Sequence, residues 1–200
     1  MRGRLWQVRQ HFRKLRLPCY LTDEAQYAWV RGLIKADRLR TWRGNLLDKR
    51  TLRQLGAALA EHGVEVGVLY LSNAEQYFEY TPDFRENMLA LPMRERSAVL
   101  HTLGWDVYGY ADGHYHYTWQ SGLNFQAWMR EGKSAKLGWM LWYRKRHKRR
   151  EKGSRQKVEV VGYSTIEKTP AEVREAIRRA KERKARKARR ARRRQQAATR

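Results

Sequence analysis

A single cysteine, Cys19, stands among 200 residues. It excludes an internal disulfide and any zinc cluster built on several thiolates, and beside Pro18 it reads most simply as a small buried hydrophobe. No apolar run approaches the ~18 residues that mark a membrane-spanning helix. The opening segment RGRLWQVRQHFRKLR lacks the apolar centre of a signal peptide, so an unanchored cytoplasmic protein is expected. Signatures of high catalytic specificity are missing too: there is no GxGxxG, Walker motif, HExxH or GxSxG. Acidic residues are scarce, 20 Asp and Glu against 44 Lys and Arg.

What is there suits a folded domain. Hydrophobic residues make up 42% of the chain, with eight Trp and eleven Tyr, enough for a real core. The positive charge is unevenly spread: residues 1–142 carry a net +6 and residues 143–200 a net +18. The excess sits in RKRHKRREKGSRQK (144–157) and RRAKERKARKARRARRR (178–194). Like charges at this density repel one another and favour a polyanion, so nucleic acid or another anionic surface is the expected partner. The candidate contacts are Arg144, Lys145, Arg146, Lys148, Arg149, Arg150, Arg186, Arg189, Arg190 and Arg193. A solvated tail serving only solubility is the plainer alternative.

Periodicity predicts the elements. Leu5, Val8, Phe12 and Leu15 make residues 1–16 an amphipathic helix. Leu17–Leu21 reads as a brief strand, Thr22-Asp23-Glu24 as the cap of a helix over 25–36 with Tyr27, Val30, Leu33 and Ile34 on one face, and Leu39–Trp42 as a second strand. After the Gly44-Asn45 turn, a helix from Asp48 with Leu52, Leu55, Ala58 and Leu59 inward ends at His62-Gly63. Val64–Leu71 reads as a central buried strand. A helix over 83–90, strands over 97–103 and 114–120, and a helix from 124 to 129 follow, with a hairpin turn at Asp112-Gly113. Residues 143–157 form a basic hinge and 158–168 a final strand. Thr169-Pro170-Ala171-Glu172 is a capping box with Pro at the first helical position. It opens a basic helix and tail over 169–200, which past Ala180 has almost no apolar face. Strands alternating with helices predict an α/β domain over 17–142, with a mostly parallel sheet covered on both faces.

The site candidates cluster at the end of the central strand. An apolar run that breaks into Ser72-Asn73-Ala74-Glu75 places polar side chains at a strand end, where open α/β sheets build ligand crevices. Asn73 and Glu75 are therefore the catalytic candidates; Asn45, Asp48 and Ser72 are the cofactor-binding ones. The plainer reading makes Ser72, Asn73, Asn45 or Asp48 helix caps. His114 and His116 alternate on one strand face at a spacing that suits a metal, but no third ligand is near in sequence and no metal is expected. Trp105, Tyr108, Tyr110, Tyr115, Tyr117 and Trp119 read either as bases' stacking partners or, at period 2, as a sheet face against the core.

The segments CYLTDEAQYAWVRGLIKADRL, WRGNLLD, VGVLYLSNAEQYF, FRENMLALPMRERSAVLHTL and HYTWQSGLNFQAWM resemble the C-terminal half of a poorly characterised bacterial family, over about residues 17–130. VGVLYLSNAEQYF is the specific part. The resemblance implies a methyltransferase-like Rossmann fold, expected here in incomplete form, and S-adenosylmethionine as the cofactor to consider. Two departures count against a retained cofactor: no glycine-rich donor loop is present, and the family's acidic residues in DERS and GDL are replaced by Arg94 and Asn45. Two functions follow. One is a degenerate, non-catalytic domain that binds nucleic acid or a ribonucleoprotein through its basic arm, with another chain covering an open sheet edge. The other is a methyltransferase-like enzyme with its cleft at Asn45, Asp48, Asn73 and Glu75.

Overall fold

The computed structural model describes residues 2–14, 18–103, 116–132, 137–146 and 164–198. The chain divides into two compact units, Met1–Arg43 and Gly44–Arg200.

The first unit holds α1 (Arg2–Lys14) and α2 (Glu24–Lys35). Asp23 caps α2 by accepting from the Gln26 amide at 2.8 Å, as its position before the apolar stripe predicts. No residue of α2 is buried, and Tyr27 and Ile34 of the expected inner face are exposed. Neither strand expected here forms. Residues 19–22 make a turn in which the Thr22 and Asp23 amides both donate to the Cys19 carbonyl at 2.8 Å, and the Thr22 hydroxyl takes the Cys19 amide at 3.2 Å. Such local side-chain bonds compete with a ladder, and Cys19 itself is half-buried. Leu39 and Trp42 are exposed on irregular backbone, and residues 39–42 pair with no strand among the described residues.

The second unit is a mixed α/β layer structure. Its strands β1 (Val68–Tyr70), β2 (Ala98–Leu103), β3 (His116–Ser121), β4 (Lys145–Arg146) and β5 (Ser164–Ile166) form one sheet in the order β1-β2-β3-β5-β4. Pairs β1–β2 and β3–β5 are parallel; β2–β3 and β4–β5 are antiparallel. The expectation of a mostly parallel sheet thus holds for two of four pairings. The expected central strand over 64–71 shrinks to three residues and, among the described residues, lies at the sheet's edge with one neighbour. The start of the basic hinge contains strand β4 rather than being a plain linker, and of the strand expected over 158–168 only residues 164–168 lie among the described ones, of which Ser164–Ile166 is strand.

Helices α3 (Thr51–Glu61), α4 (Pro82–Ala90), α5 (Gly122–Arg130) and α6 (Leu137–Trp142) join the sheet, and α7 (Pro170–Ala198) follows it. Register fixes the faces. Leu69, Val99, Gln120 and Ile166 lie side by side, as do His101, Thr118 and Ser164; this row of residues is the inner face, with Phe84, Met88, Phe125 and Trp128 buried beside it. α3 meets α4 at Gly56, where a Cβ would collide with the Ala90 carbonyl oxygen, so a residue that weakens a helix in isolation is what permits this approach. Buried Gln126 of α5 donates to the Met88 and Leu91 carbonyls at 3.0 and 2.9 Å, satisfying acceptors that the end of α4 leaves open. The opposite sheet face is not covered as expected: Val68, Tyr70, Tyr117 and Trp119 are exposed on it.

Candidate functional site

At the strand end, Ser72 takes a left-handed backbone conformation with φ of 55°, which costs a non-glycine residue about 1–2 kcal/mol. The reversal leads into a 3₁₀ turn over Ala74–Gln76 that sends Glu75 into the core, where it is 3% exposed. Ser72 stays exposed and Asn73 half-buried, with the Asn73 amide 3.5 Å from the Tyr77 hydroxyl.

Glu75 faces two partners. The Tyr80 hydroxyl donates to Oε1, and His101 Nδ1 lies 2.6 Å from Oε2. His101 and Gln120 are fully buried. His101 Nε2 lies 3.1 Å from Gln120 Oε1, Gln120 Nε2 donates to Asn124 Oδ1 at 2.6 Å, and Asn124 Nδ2 donates to the Glu167 carbonyl at 3.1 Å. The backbone carbonyl can only accept, so it sets the polarity of the whole row: Asn124 must offer Oδ1 to Gln120, and Gln120 must offer Oε1 to His101. Both ring nitrogens of His101 then face acceptors, which favours the imidazolium. Burial opposes the charge, but the Glu75 carboxylate and the two hydrogen bonds outweigh it and raise the His101 pKa above its ordinary value. The arrangement is a buried, hydrogen-bonded ion pair. The pair is buried, and it ties the Ala74–Gln76 turn to β2 and, through Gln120, to β3.

The other strand-end candidates are structural as well. Asp48 accepts from the Arg50 and Thr51 amides, each at 2.8 Å, and from the Thr51 hydroxyl at 2.7 Å. The Thr51 amide first, then the Arg50 amide and the Thr51 hydroxyl, lower its pKa to about 2. Asn45 Oδ1 takes the Leu47 amide at 3.0 Å. Buried Asn87 of α4 fastens this turn, donating to the Leu46 and Asp48 carbonyls at 2.9 and 2.6 Å. Each of these two carboxylates is engaged by its own partners, Asp48 at a helix start and Glu75 inside the core. No group of three His, Cys, Asp or Glu residues suited to a metal occurs among the described residues. His114 and the side chain of His116 lie outside them.

The basic candidates divide. Arg144 is half-buried and donates to the Leu141 carbonyl at 2.7 Å. Lys145 is exposed, 3.7 Å from Glu167. Arg146 lies in β4; its side chain, together with Lys148, Arg149 and Arg150, lies outside the described residues, as does the hairpin turn at Asp112-Gly113. On α7 the capping box forms as predicted: Glu172 Oε2 accepts from the Thr169 amide at 2.7 Å, and Thr169 Oγ1 takes the Glu172 amide at 3.3 Å. Val173 anchors the first turn in the core. Glu175 then pairs with Arg178 and Arg179, and from Arg178 to Ala191 every residue is exposed. Arg186, Arg189 and Arg190 all sit there; Arg193 is on the same helix. Arg183, Arg186, Lys187 and Arg190 share one face of the helix. The helix runs to Ala198, in keeping with its Ala, Arg, Lys and Gln content, the strongest helix formers. Among the described residues no helix is long and apolar enough to cross a membrane.

The chain belongs to the family described as a domain of unknown function (DUF7790), whose model matches residues 1–167. No curated protein matches it.

Proposed function

We propose that this member of the DUF7790 family is a non-catalytic nucleic-acid-binding protein that engages the phosphate backbone through α7. The carrying observation is the cationic helix, exposed from Arg178 to Ala191: between Arg178 and Arg194 the sequence has twelve Lys and Arg and one acidic residue, Glu182. Arg183 faces Lys187 and Arg186 faces Arg190 one turn on, like-charge neighbours that weaken an isolated helix. A polyanion laid along the helix turns that repulsion into attraction and releases its own condensed counterions. Such contacts read backbone rather than base sequence. A methyltransferase-like enzyme with its cleft at Asn45, Asp48, Asn73 and Glu75 has less support, because Asp48 and Glu75 are already closed by structural partners.

Fluorescence anisotropy of labelled oligonucleotides over a potassium chloride series tests the reading. Engagement of about 6 to 10 phosphates lowers affinity by roughly three to five decades between 50 and 200 mM salt. Replacing Arg183, Arg186, Lys187 and Arg190 by Glu should abolish most of the binding. Absence of binding at low salt, or affinity indifferent to salt, would overturn it.

A further inference from the structure

The outer face of the sheet has the wrong composition for an idle surface. Strand register places Tyr70, Leu100, Trp119, Thr165 and Lys145 in one cross-strand row, with Thr102 and Tyr117 in the next. Tyr70, Tyr117 and Trp119 are 51%, 47% and 41% exposed, and Leu100 is half-buried between the first and last strands of this group. The Thr102 hydroxyl donates to the Tyr70 hydroxyl at 3.1 Å, which holds that ring at the surface from its hydroxyl end. Contiguous exposed aromatic rings on a rigid layer mark a recognition surface. Tyr117 and Trp119, residues i and i+2 of β3, stand about 7 Å apart, and Tyr70 lies two strands from Trp119, about 10 Å away across Leu100, so the three rings are spaced to take successive flat ligands rather than one.

Charge selects the ligand. Lys145 stands at the end of the aromatic row, exposed and on the same face, and the 143–200 segment that contains it carries a net +18. A flat, repeating, polyanionic partner fits both properties. We propose that the open sheet face carrying Tyr70, Tyr117 and Trp119 is a stacking platform for the bases of single-stranded nucleic acid. This deepens the nucleic-acid reading above by naming the substrate class: in a duplex the base faces are stacked on one another, whereas a single strand offers them to aromatic rings. α7 supplies long-range attraction and backbone contact; the platform supplies the preference for unpaired strands.

The test uses the full chain with a fluorescein-labelled twelve-nucleotide oligothymidylate and a duplex of equal length, at fixed low salt. The wild type is expected to favour the single strand. Trp119→Ala and Tyr117→Ala are each expected to weaken single-strand binding by roughly 5- to 150-fold and duplex binding less than twofold, while Trp119→Phe restores most of the loss. To guard against variants that fail to fold, an oligonucleotide carrying 5-iodouracil is photocrosslinked to the unaltered chain and the adducts are mapped. Adducts at Tyr70, Tyr117 or Trp119 support the platform; adducts confined to α7 overturn it. Single-strand affinity unchanged in both alanine variants, with salt dependence intact, overturns the platform and leaves the α7 reading standing. No binding of either oligonucleotide by the wild type overturns both. A fall in molar mass by light scattering on Trp119→Ala, with binding unchanged, identifies the face as a contact between copies of the chain and overturns the platform.

Discussion

The charge state of His101 is set by a backbone carbonyl two side chains away, through Asn124 and Gln120. Because its folded-state pKa is raised, its contribution to stability is fully present below the unfolded value near 6.5 and is lost as pH rises through the folded value. Thermal melts should therefore show stability falling on the alkaline side of about 6.5, and Glu75→Gln should remove that fall while destabilising the fold by about 3–5 kcal/mol, the usual cost of breaking a buried pair. A pH profile in the variant that parallels the wild type would show the pair is not its source. Gly56 makes an opposite-signed case. In an isolated helix Gly→Ala stabilises by about 1 kcal/mol, but here the added methyl meets the Ala90 carbonyl oxygen, so Gly56→Ala should destabilise by about 1–3 kcal/mol in urea melts.

At the scale of elements, the parts legible in the sequence are those with local causes. Asp23 and the Thr169–Glu172 box cap helices where their side chains can reach free amides three residues on, and Phe84 and Met88 of the helix expected over 83–90 are inward. What sequence reading missed depends on neighbours distant in the chain. Residues 39–42 look like a strand but pair with no strand among the described residues, and Val64–Leu71 looks central because its apolar run says nothing about how many strands flank it. The Glu75 network was equally hidden, though a signal existed: His101 and Gln120 each occupy the inward phase of an apolar strand, alternating with Val99 and Thr118 as buried neighbours. Two polar residues on buried positions of adjacent strands imply a shared partner. Within α7 only the first turns are anchored by Val173 and partly buried Ile177. Amides from Val173 to Ile177 should thus exchange more slowly than those beyond Ala180, and bound nucleic acid should slow the latter; equal protection along the free helix would contradict this.

Across the whole molecule, folding and charge reside in different places. The core of the second unit draws on residues from Leu71 to Val173, whereas the densest cationic stretch starts at Arg178 and buries nothing through Ala191. Removing residues 178–200 should then leave the melting transition within a degree or two, because surface segments without buried contacts contribute little. The same truncation subtracts thirteen Lys and Arg and one Glu from the net +24, and should flatten the dependence of log affinity on log salt in proportion to the phosphates no longer neutralised. If stacking on Trp119 and Tyr117 operates as argued, the truncated chain still prefers a single strand to a duplex, at lower affinity and with the shallower slope. Calorimetry and anisotropy on one truncated sample separate these properties: a large drop in melting temperature would place α7 within the folding unit, and an unchanged salt slope would place the phosphate contacts elsewhere on the surface.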